Sequence, residues 1–348
     1  MVKVSPFRKS MHKTLERAKN ALHEALIETR GDYGTHNSKR LKYALKLKGL
    51  THLEERTLLS PKVHAKHSKN LGQRYLKRLA LVNTKAAAKN KPTNFNVSSE
   101  FRFMTLIHCL EAPKLSRVHK AIDTLTNDLK KATESSVGIW LLGAIEVEVI
   151  SLEMLRQIAS NRSVSEARKA DVCEGLLDRL PPTMQDREYY FLIHFHGIAQ
   201  ANSQERFTEY ENILRSNKTW RFEPRQIQLK PLSRKFKGKP KTLEENLLHI
   251  ARYITKGGID WNSSKGYLRY KLSFKNEIEE TEDGWVNKNR QRNSELRREH
   301  KEEGITDPLA MTCGEICDLA QIIDTMMSKT RDRTGYLLQA KSRRNVSL

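Results

Sequence analysis

The chain has few cysteines and no long uninterrupted apolar run. Four cysteines in 348 residues do not make a disulfide framework. The best apolar stretch, residues 137–152, is broken by Glu146 and Glu148 and falls short of the ~18 apolar residues of a membrane helix. The first nine residues lack the apolar core of a secretory signal. We therefore expect no membrane partner and a cytoplasmic location.

Acidic residues are scarce in the first quarter of the chain. Residues 1–95 contain 22 Lys and Arg but only 6 Asp and Glu, and the whole chain carries a formal charge of +22. Polyanionic nucleic acid is the commonest partner for such a charge. A ribosome-associated or merely sticky basic tail would have the same composition.

The periodicity of apolar residues predicts four regions. Helical spacing recurs in residues 13–29, 40–50 and 71–88, each with a basic opposite face. Phe103, Leu106, Ile107 and Leu110 also have helical spacing, and the pattern resumes over residues 118–129. The predicted regions are a basic helical, DNA-binding region (1–95), a helical connector (96–134), a sheet-containing domain (135–280), and a charged linker with a C-terminal helical region and basic tail (281–348).

Two histidines lie in an apolar stretch, Tyr189 to Ala199, that is typical of a buried strand. A strand sends alternate side chains to the same face, so His194 and His196 point the same way. Burying two imidazoles is costly unless their lone pairs are used, and a divalent metal is the usual user. Two hydrogen-bonded core histidines are the alternative.

A second predicted strand carries two carboxylates. Residues 137–150 are rich in apolar and β-branched residues, and Glu146 and Glu148 share one face of the strand. Two solvated acids on an exposed strand face would give the same pattern.

A helix predicted over residues 243–256, ended by two glycines, carries three further polar candidates. His249, Tyr253 and Lys256 occur at i, i+4 and i+7 and therefore share one face. Before this helix, residues 233–242 form a predicted mobile basic loop, which could close over a nucleic-acid backbone or only keep the chain soluble. The loop cations considered for DNA binding are Arg234, Lys235, Lys237 and Lys239.

A strand with acids, a strand with His-x-His and a helix with Tyr-x-x-Lys follow one another in the chain. This order resembles the HUH endonuclease superfamily, in the segments Ile193 to Gly197 and Ala251 to Lys256. The resemblance covers roughly residues 137–275. It is closest to the rolling-circle replication initiators, since Tyr253 follows His196 by 57 residues, whereas the relaxase nucleophile usually precedes the histidines. Where some initiators have a first tyrosine this chain has His249, which implies a single nucleophile.

The resemblance implies an α+β fold whose central antiparallel sheet carries the histidines between flanking helices. It implies metal-dependent nicking and joining of single-stranded DNA through a covalent 5′-phosphotyrosine, with Tyr253 as nucleophile and Lys256 as its cation. The implied ligands of Mg²⁺ or Mn²⁺ are His194, His196 and Glu146. Glu146 is preferred because residues 144–147 resemble the equivalent strand of the initiators, and Glu148 is the alternative. His249 would orient the phenol or bind phosphate.

The implied partners are single-stranded and origin DNA of a plasmid, phage or mobile element, together with host helicase and other replication proteins. The implied location is the nucleoid. A transposase or mobilisation relaxase with the same site is the first alternative function. A basic nucleic-acid-binding protein without catalytic activity is the second.

Overall fold

The computed structural model describes most of the chain between residues 42 and 343. The described residues are 42, 44–88, 100–150, 152–160, 167–180, 189–217, 226–232, 235–236, 239–240, 242–255, 278–281, 284–287 and 313–343. The helices are α1 (Pro61–Ala88), α2 (Leu115–Ser135), α3 (Leu152–Ser160), α4 (Ala167–Leu177), α5 (Gln204–Ser216), α6 (Leu243–Ile254) and α7 (Cys313–Met327). The strands are β1 (Phe101–Glu111), β2 (Trp140–Ile150), β3 (Tyr190–Gln200), β4 (Ile227–Pro231), β5 (Lys235–Phe236), β6 (Lys239–Pro240), β7 (Ile278–Thr281), β8 (Gly284–Asn287) and β9 (Leu337–Lys341).

Five strands form one sheet in the order β4-β1-β3-β2-β9, and every neighbouring pair is antiparallel. The strands β5 and β6 pair with each other, as do β7 and β8. The predicted α+β class, with a central antiparallel sheet flanked by helices, is confirmed.

The two predicted strands, β2 and β3, lie next to each other near the centre of the sheet. Every residue of both strands is buried, which agrees with sequences that are apolar except at the histidines, the two glutamates and Gln200. On one face, the hydroxyl of Tyr75 in α1 donates to the Leu142 carbonyl at 3.0 Å. On the other face, the Arg102 guanidinium of β1 lies over the ring of Phe207 in α5. Helices therefore cover the sheet on both sides.

A pair of glycines lets the central strands pack closely. Gly143 in β2 is the register partner of Gly197 in β3. A Cβ at either position would lie 2.5 Å from Cζ of Phe195, which is closer than packed side chains tolerate. Only glycine leaves room for this ring, which lies on the face of the sheet opposite the histidine pair.

The helix predicted over Phe103 to Leu110 is wrong, because these residues belong to β1. Met104, Leu106 and Leu110 are buried, with less buried residues between them. The strand pairs with β3 on one side and β4 on the other. Pairing with strands far away in the chain outweighs a local spacing that fits a helix equally well.

Three segments predicted as a tail, a loop or a linker contain strands. The chain beyond α7 is not only a basic tail, since β9 forms the edge of the main sheet beside β2. The basic loop at 233–242 contains a short ladder, in which Lys235 pairs with Pro240 and Phe236 with Lys239. The strand β8 and the last residue of β7 lie in the segment predicted as a charged linker, and the two strands form another ladder.

Several predictions fall outside the described residues. They are the helix predicted over residues 13–29, the linker that the polar residues 90–99 predict, and the strand that the alternating residues 267–274 predict. Among the residues that are described, no helix combines the length and the apolar character needed to cross a bilayer.

A β-bulge in β1 places one histidine in the protein interior. The register with β3 shifts between Ile107 and Cys109, and His108, between them, is 5% exposed. Burial lowers the pKa of the His108 imidazole to about 4, and the Asp128 carboxylate offsets part of this shift. The folded protein therefore holds His108 neutral at pH values where the unfolded chain, with a histidine pKa of about 6.5, takes up a proton.

We expect acid to destabilise the fold through His108. Between about pH 6.5 and pH 4 only the unfolded state binds this proton, so the free energy of unfolding falls as the pH falls, by up to about 3 kcal/mol in total. The non-titrating variant His108→Gln lacks this dependence. Urea unfolding of both proteins with EDTA across this pH range measures the difference, and parallel stability curves would contradict the prediction.

Candidate metal centre

The strand register brings the acidic residues and the histidines to one face of the sheet. Glu146 in β2 is the partner of His194 in β3, and Ala144 is the partner of His196. On the other side of β3, Thr105 in β1 is the partner of His196. Directly opposed residues in an antiparallel pair share a face, so Glu146, both histidines and Thr105 lie together.

The ring nitrogens of both histidines approach one carboxylate oxygen. Oε2 of Glu146 lies 2.9 Å from Nε2 of His194 and 3.4 Å from Nε2 of His196. The two imidazole centroids are 4.6 Å apart. Glu146 is 2% exposed, His194 3% and His196 8%.

These three residues could hold a metal ion. One ligand atom from each, two imidazole nitrogens and a carboxylate oxygen, lies within 4.8 Å of the others. Buried ionisable groups in an apolar sheet are costly unless they are paired or coordinate a metal.

Two polar side chains, Thr105 and Glu148, lie near the Nδ1 atoms of the histidines. The hydroxyl of Thr105 lies 3.1 Å from Nδ1 of His196. With Nδ1 protonated, His196 donates to Thr105 and keeps its Nε2 lone pair for an ion, which is the usual arrangement around a metal-binding histidine. Oε2 of Glu148 lies 4.0 Å from Nδ1 of His194. Glu148 therefore faces the ring nitrogen of His194 that points away from Glu146.

Helix α6 places Tyr253 next to His196. The helix begins with a capping box, in which Thr242 accepts from the Glu245 amide and the Glu245 carboxylate accepts from the Thr242 amide. Leu247, Leu248, Ala251 and Ile254 are its buried face. At its end, the Arg252 carbonyl lies 3.1 Å from Nε2 of His64 in α1. Packing and capping thus fix α6 while leaving Tyr253 41% exposed.

The Tyr253 ring contacts the site directly. Its centroid lies 5.4 Å from that of His196, with 66° between the rings. Phe103 stacks on the His196 ring, with the two centroids 5.6 Å apart and 11° between the ring planes. Phe103 also lies 6.2 Å from Tyr253, edge to face. Phe103 therefore supports both rings.

The remaining predicted residues are placed only in part. His249 is exposed on α6, one turn before Tyr253. Lys256, Arg234 and Lys237 lie outside the described residues. Lys235 and Lys239 are described only as members of the β5–β6 ladder.

Thr105 and Phe103 were missed by sequence reasoning. Both lie on β1, which was interpreted as a helix, and on a helix neither residue would have been aligned with His196. The one signal that favours a strand is the pair of apolar residues on either side of Thr105, Met104 and Leu106, and this spacing also fits a helix.

We expect Thr105→Val to weaken metal binding. The substitution keeps the shape of the side chain but removes the partner of His196 Nδ1, and loss of such a partner typically lowers metal affinity about 10- to 100-fold. Thr105→Ser should restore most of the affinity. Thr126→Val on α2, whose hydroxyl bonds to the Ile122 carbonyl of its own helix, is the matched control. Calorimetric titration with Mn²⁺ measures the effect, and equal affinities for Thr105→Val and the control would refute it.

Comparison of the chain with protein-family models, curated proteins and solved structures gives no match in any of the three.

Proposed function

We propose that this protein nicks and rejoins single-stranded DNA in a metal-dependent reaction, with Tyr253 as the covalent nucleophile. One observation carries the proposal: the Tyr253 ring lies 5.4 Å from the ring of His196, within the same cluster as His194 and Glu146. Its exposure of 41% leaves Tyr253 accessible to a substrate next to the buried group of potential metal ligands. The motif order in the sequence supports the same reaction.

The reaction would be a transesterification at one phosphodiester. The Tyr253 oxygen bonds to phosphorus as its proton leaves to a base or to water, and the bond from phosphorus to the 3′ oxygen breaks. The 3′ oxygen takes up a proton and becomes a hydroxyl, while the 5′ phosphate stays on Tyr253. Attack by a 3′-hydroxyl on this phosphotyrosine reverses the step, so no external energy source is needed for rejoining.

Glu146, His194 and His196 would hold the ion, and Thr105 would keep His196 oriented. A bound divalent ion would supply electrostatic stabilisation of the charge that develops on the phosphate oxygens. Two imidazoles and one carboxylate suit a transition ion, whereas Mg²⁺ prefers oxygen ligands. We therefore expect Mn²⁺ to bind more tightly than Mg²⁺, with either ion able to support the reaction.

The basic charge of the chain supports a nucleic-acid substrate, since a net charge of +22 favours polyanions. Initiation of rolling-circle replication is the setting that the motif order favours, with origin DNA and host replication proteins as partners. A transposase or relaxase would use the same site. A DNA-extension assay after cleavage distinguishes replication from strand transfer.

The test is a search for a covalent complex. The protein is incubated with 5′- or 3′-end-labelled single-stranded DNA and Mn²⁺ or Mg²⁺, then denatured and separated by gel electrophoresis. We expect a denaturation-resistant complex that carries the 3′ label only, because the fragment downstream of the nick stays attached through its 5′ phosphate. DNA from candidate origins and pooled random sequences should both be used. If binding occurs but no DNA of either kind gives a complex with either metal, the protein is a non-catalytic DNA-binding protein.

A further inference from the structure

We propose that the outward face of α1 is a second DNA-binding surface, which holds the phosphate backbone of duplex DNA beside the metal centre. The surface consists of Lys62, Lys66, Lys69 and Lys77, and is named the lysine stripe. Each of these residues is exposed. At 100° per residue they lie within about 80° of arc, and at 1.5 Å per residue they extend over about 22 Å.

Within the described part of the chain, the lysine stripe makes no ion pair that would stabilise the fold. None of its four ammonium groups has an ion-pair partner among the described residues. The arginines of α1 behave differently: Arg74 lies 3.9 Å from the Asp332 carboxylate, and Arg78 donates to Gln200 at 3.0 Å. The arginines of α1 therefore contact polar groups of the fold, while the lysines of the stripe face outward.

The charge of the helix has one sign only. Pro61–Ala88 contains no Asp or Glu, so nothing on α1 neutralises the stripe. An exposed helix that merely needs to be soluble gains from mixed charges at i and i+4, which attract each other, whereas a one-sign row repels itself. A polyanion would remove this repulsion and release its own counterions on binding.

The residue types favour a duplex over a single strand. Single-strand sites combine cations with aromatic side chains on which bases stack. The exposed side of α1 has no aromatic residue, and its one large exposed apolar side chain is Leu81. Lysines alone bind through charge, and B-form DNA presents one negative charge per ~1.7 Å, about twice the density of one strand.

The position of α1 connects the stripe with the metal centre. On its inner side α1 contacts α6 through His64 and the Arg252 carbonyl, next to Tyr253. Duplex DNA on the outer side of α1 would lie about one helix diameter, ~10 Å, from α6. The identity of the polyanion as DNA rests on the proposed function, but binding by the stripe requires neither the metal nor Tyr253.

The test compares two fourfold variants of the full-length protein. K62Q/K66Q/K69Q/K77Q removes the stripe. K114Q/K120Q/K130Q/K131Q removes the same charge from exposed positions on and just before α2, on the side of the sheet that faces away from α1. Binding of a fluorescent duplex without origin sequence, and of one of its strands alone, is measured in EDTA by anisotropy over a range of NaCl concentrations. Lysine-to-arginine changes at the four stripe positions keep the charge and should keep the affinity.

We expect the stripe variant to bind duplex at least ~10-fold more weakly at 100 mM NaCl, and its slope of log K against log salt to be shallower by about 3 to 4. The α2 variant should also bind duplex more weakly, but the logarithm of its fold-loss in affinity should be less than about a third of that of the stripe variant. Equal losses in the two variants would show that only net charge matters and would overturn the proposal. The proposal would also be overturned if the stripe variant lost as much affinity for the single strand as for the duplex. Because EDTA removes the metal, duplex binding that depends on the stripe would stand even if no covalent adduct were ever found.

Discussion

Tyr253→Phe is expected to abolish the covalent DNA complex and to lower strand cleavage by more than about 10⁴-fold, because phenylalanine has no oxygen to attack phosphorus. The ring itself remains, so its contacts with His196 and Phe103 are kept. DNA binding and Mn²⁺ affinity should therefore stay within about twofold of the wild-type protein. Cleavage is measured with end-labelled DNA in single-turnover conditions.

Tyr189→Phe is the matched control. Tyr189 is also partly buried, and its hydroxyl donates to the Asp318 carboxylate rather than facing the metal centre. We expect this variant to cleave DNA and to form the covalent complex at the wild-type rate. Normal cleavage by Tyr253→Phe would remove Tyr253 from the mechanism, and a covalent complex in that variant would point to another nucleophile.

Glu146→Gln is expected to remove specific metal binding. Glu146 contributes the only carboxylate of the three-residue cluster found among the described residues. An amide keeps its size but loses the negative charge that offsets the charge of a divalent ion. Wild-type protein should gain about 2.7 kcal/mol in unfolding free energy at a Mn²⁺ concentration 100 times its dissociation constant. The variant should gain almost nothing at the same concentration.

Glu148→Gln tests which of the two carboxylates of β2 binds the ion. Oε2 of Glu148 lies 4.0 Å from Nδ1 of His194, farther than the 2.9 Å between Glu146 and His194, so this variant should keep most of the stabilisation by Mn²⁺. Chemical unfolding of the wild-type protein and both variants, each with and without Mn²⁺, gives the six free energies needed. If Glu148→Gln loses the stabilisation and Glu146→Gln keeps it, the assignment of the carboxylate ligand is reversed.

The central part of the fold could be predicted because its sequence is locally consistent. Residues 137–150 and 189–199 are too apolar and β-branched for anything but buried strands, and the period of two then fixes which side chains share a face. From that period alone, Glu146 was aligned with Glu148, and His194 with His196. The helix that carries Tyr253 was equally clear, because its apolar stripe and its terminating glycines agree.

The rest depended on contacts between segments that are far apart in the chain. The spacing of Phe103, Leu106, Ile107 and Leu110 fits a helix and a strand alike, and only pairing with β3 and β4 decides between them. The edge strand β9 was missed for the same reason, since five residues inside a basic segment carry little local signal. Consequently Thr105, which depends on the position of β1, could not be predicted as a partner of His196.

Diffraction from crystals grown with Mn²⁺, recorded where manganese scatters anomalously, tests the metal centre most directly. We predict an anomalous peak bound by Glu146, His194 and His196 at about 2.0–2.3 Å, with Tyr253 facing the same ion. An absence of any peak there at saturating Mn²⁺, or a peak held by other residues with the three side chains still paired to each other, would contradict the account.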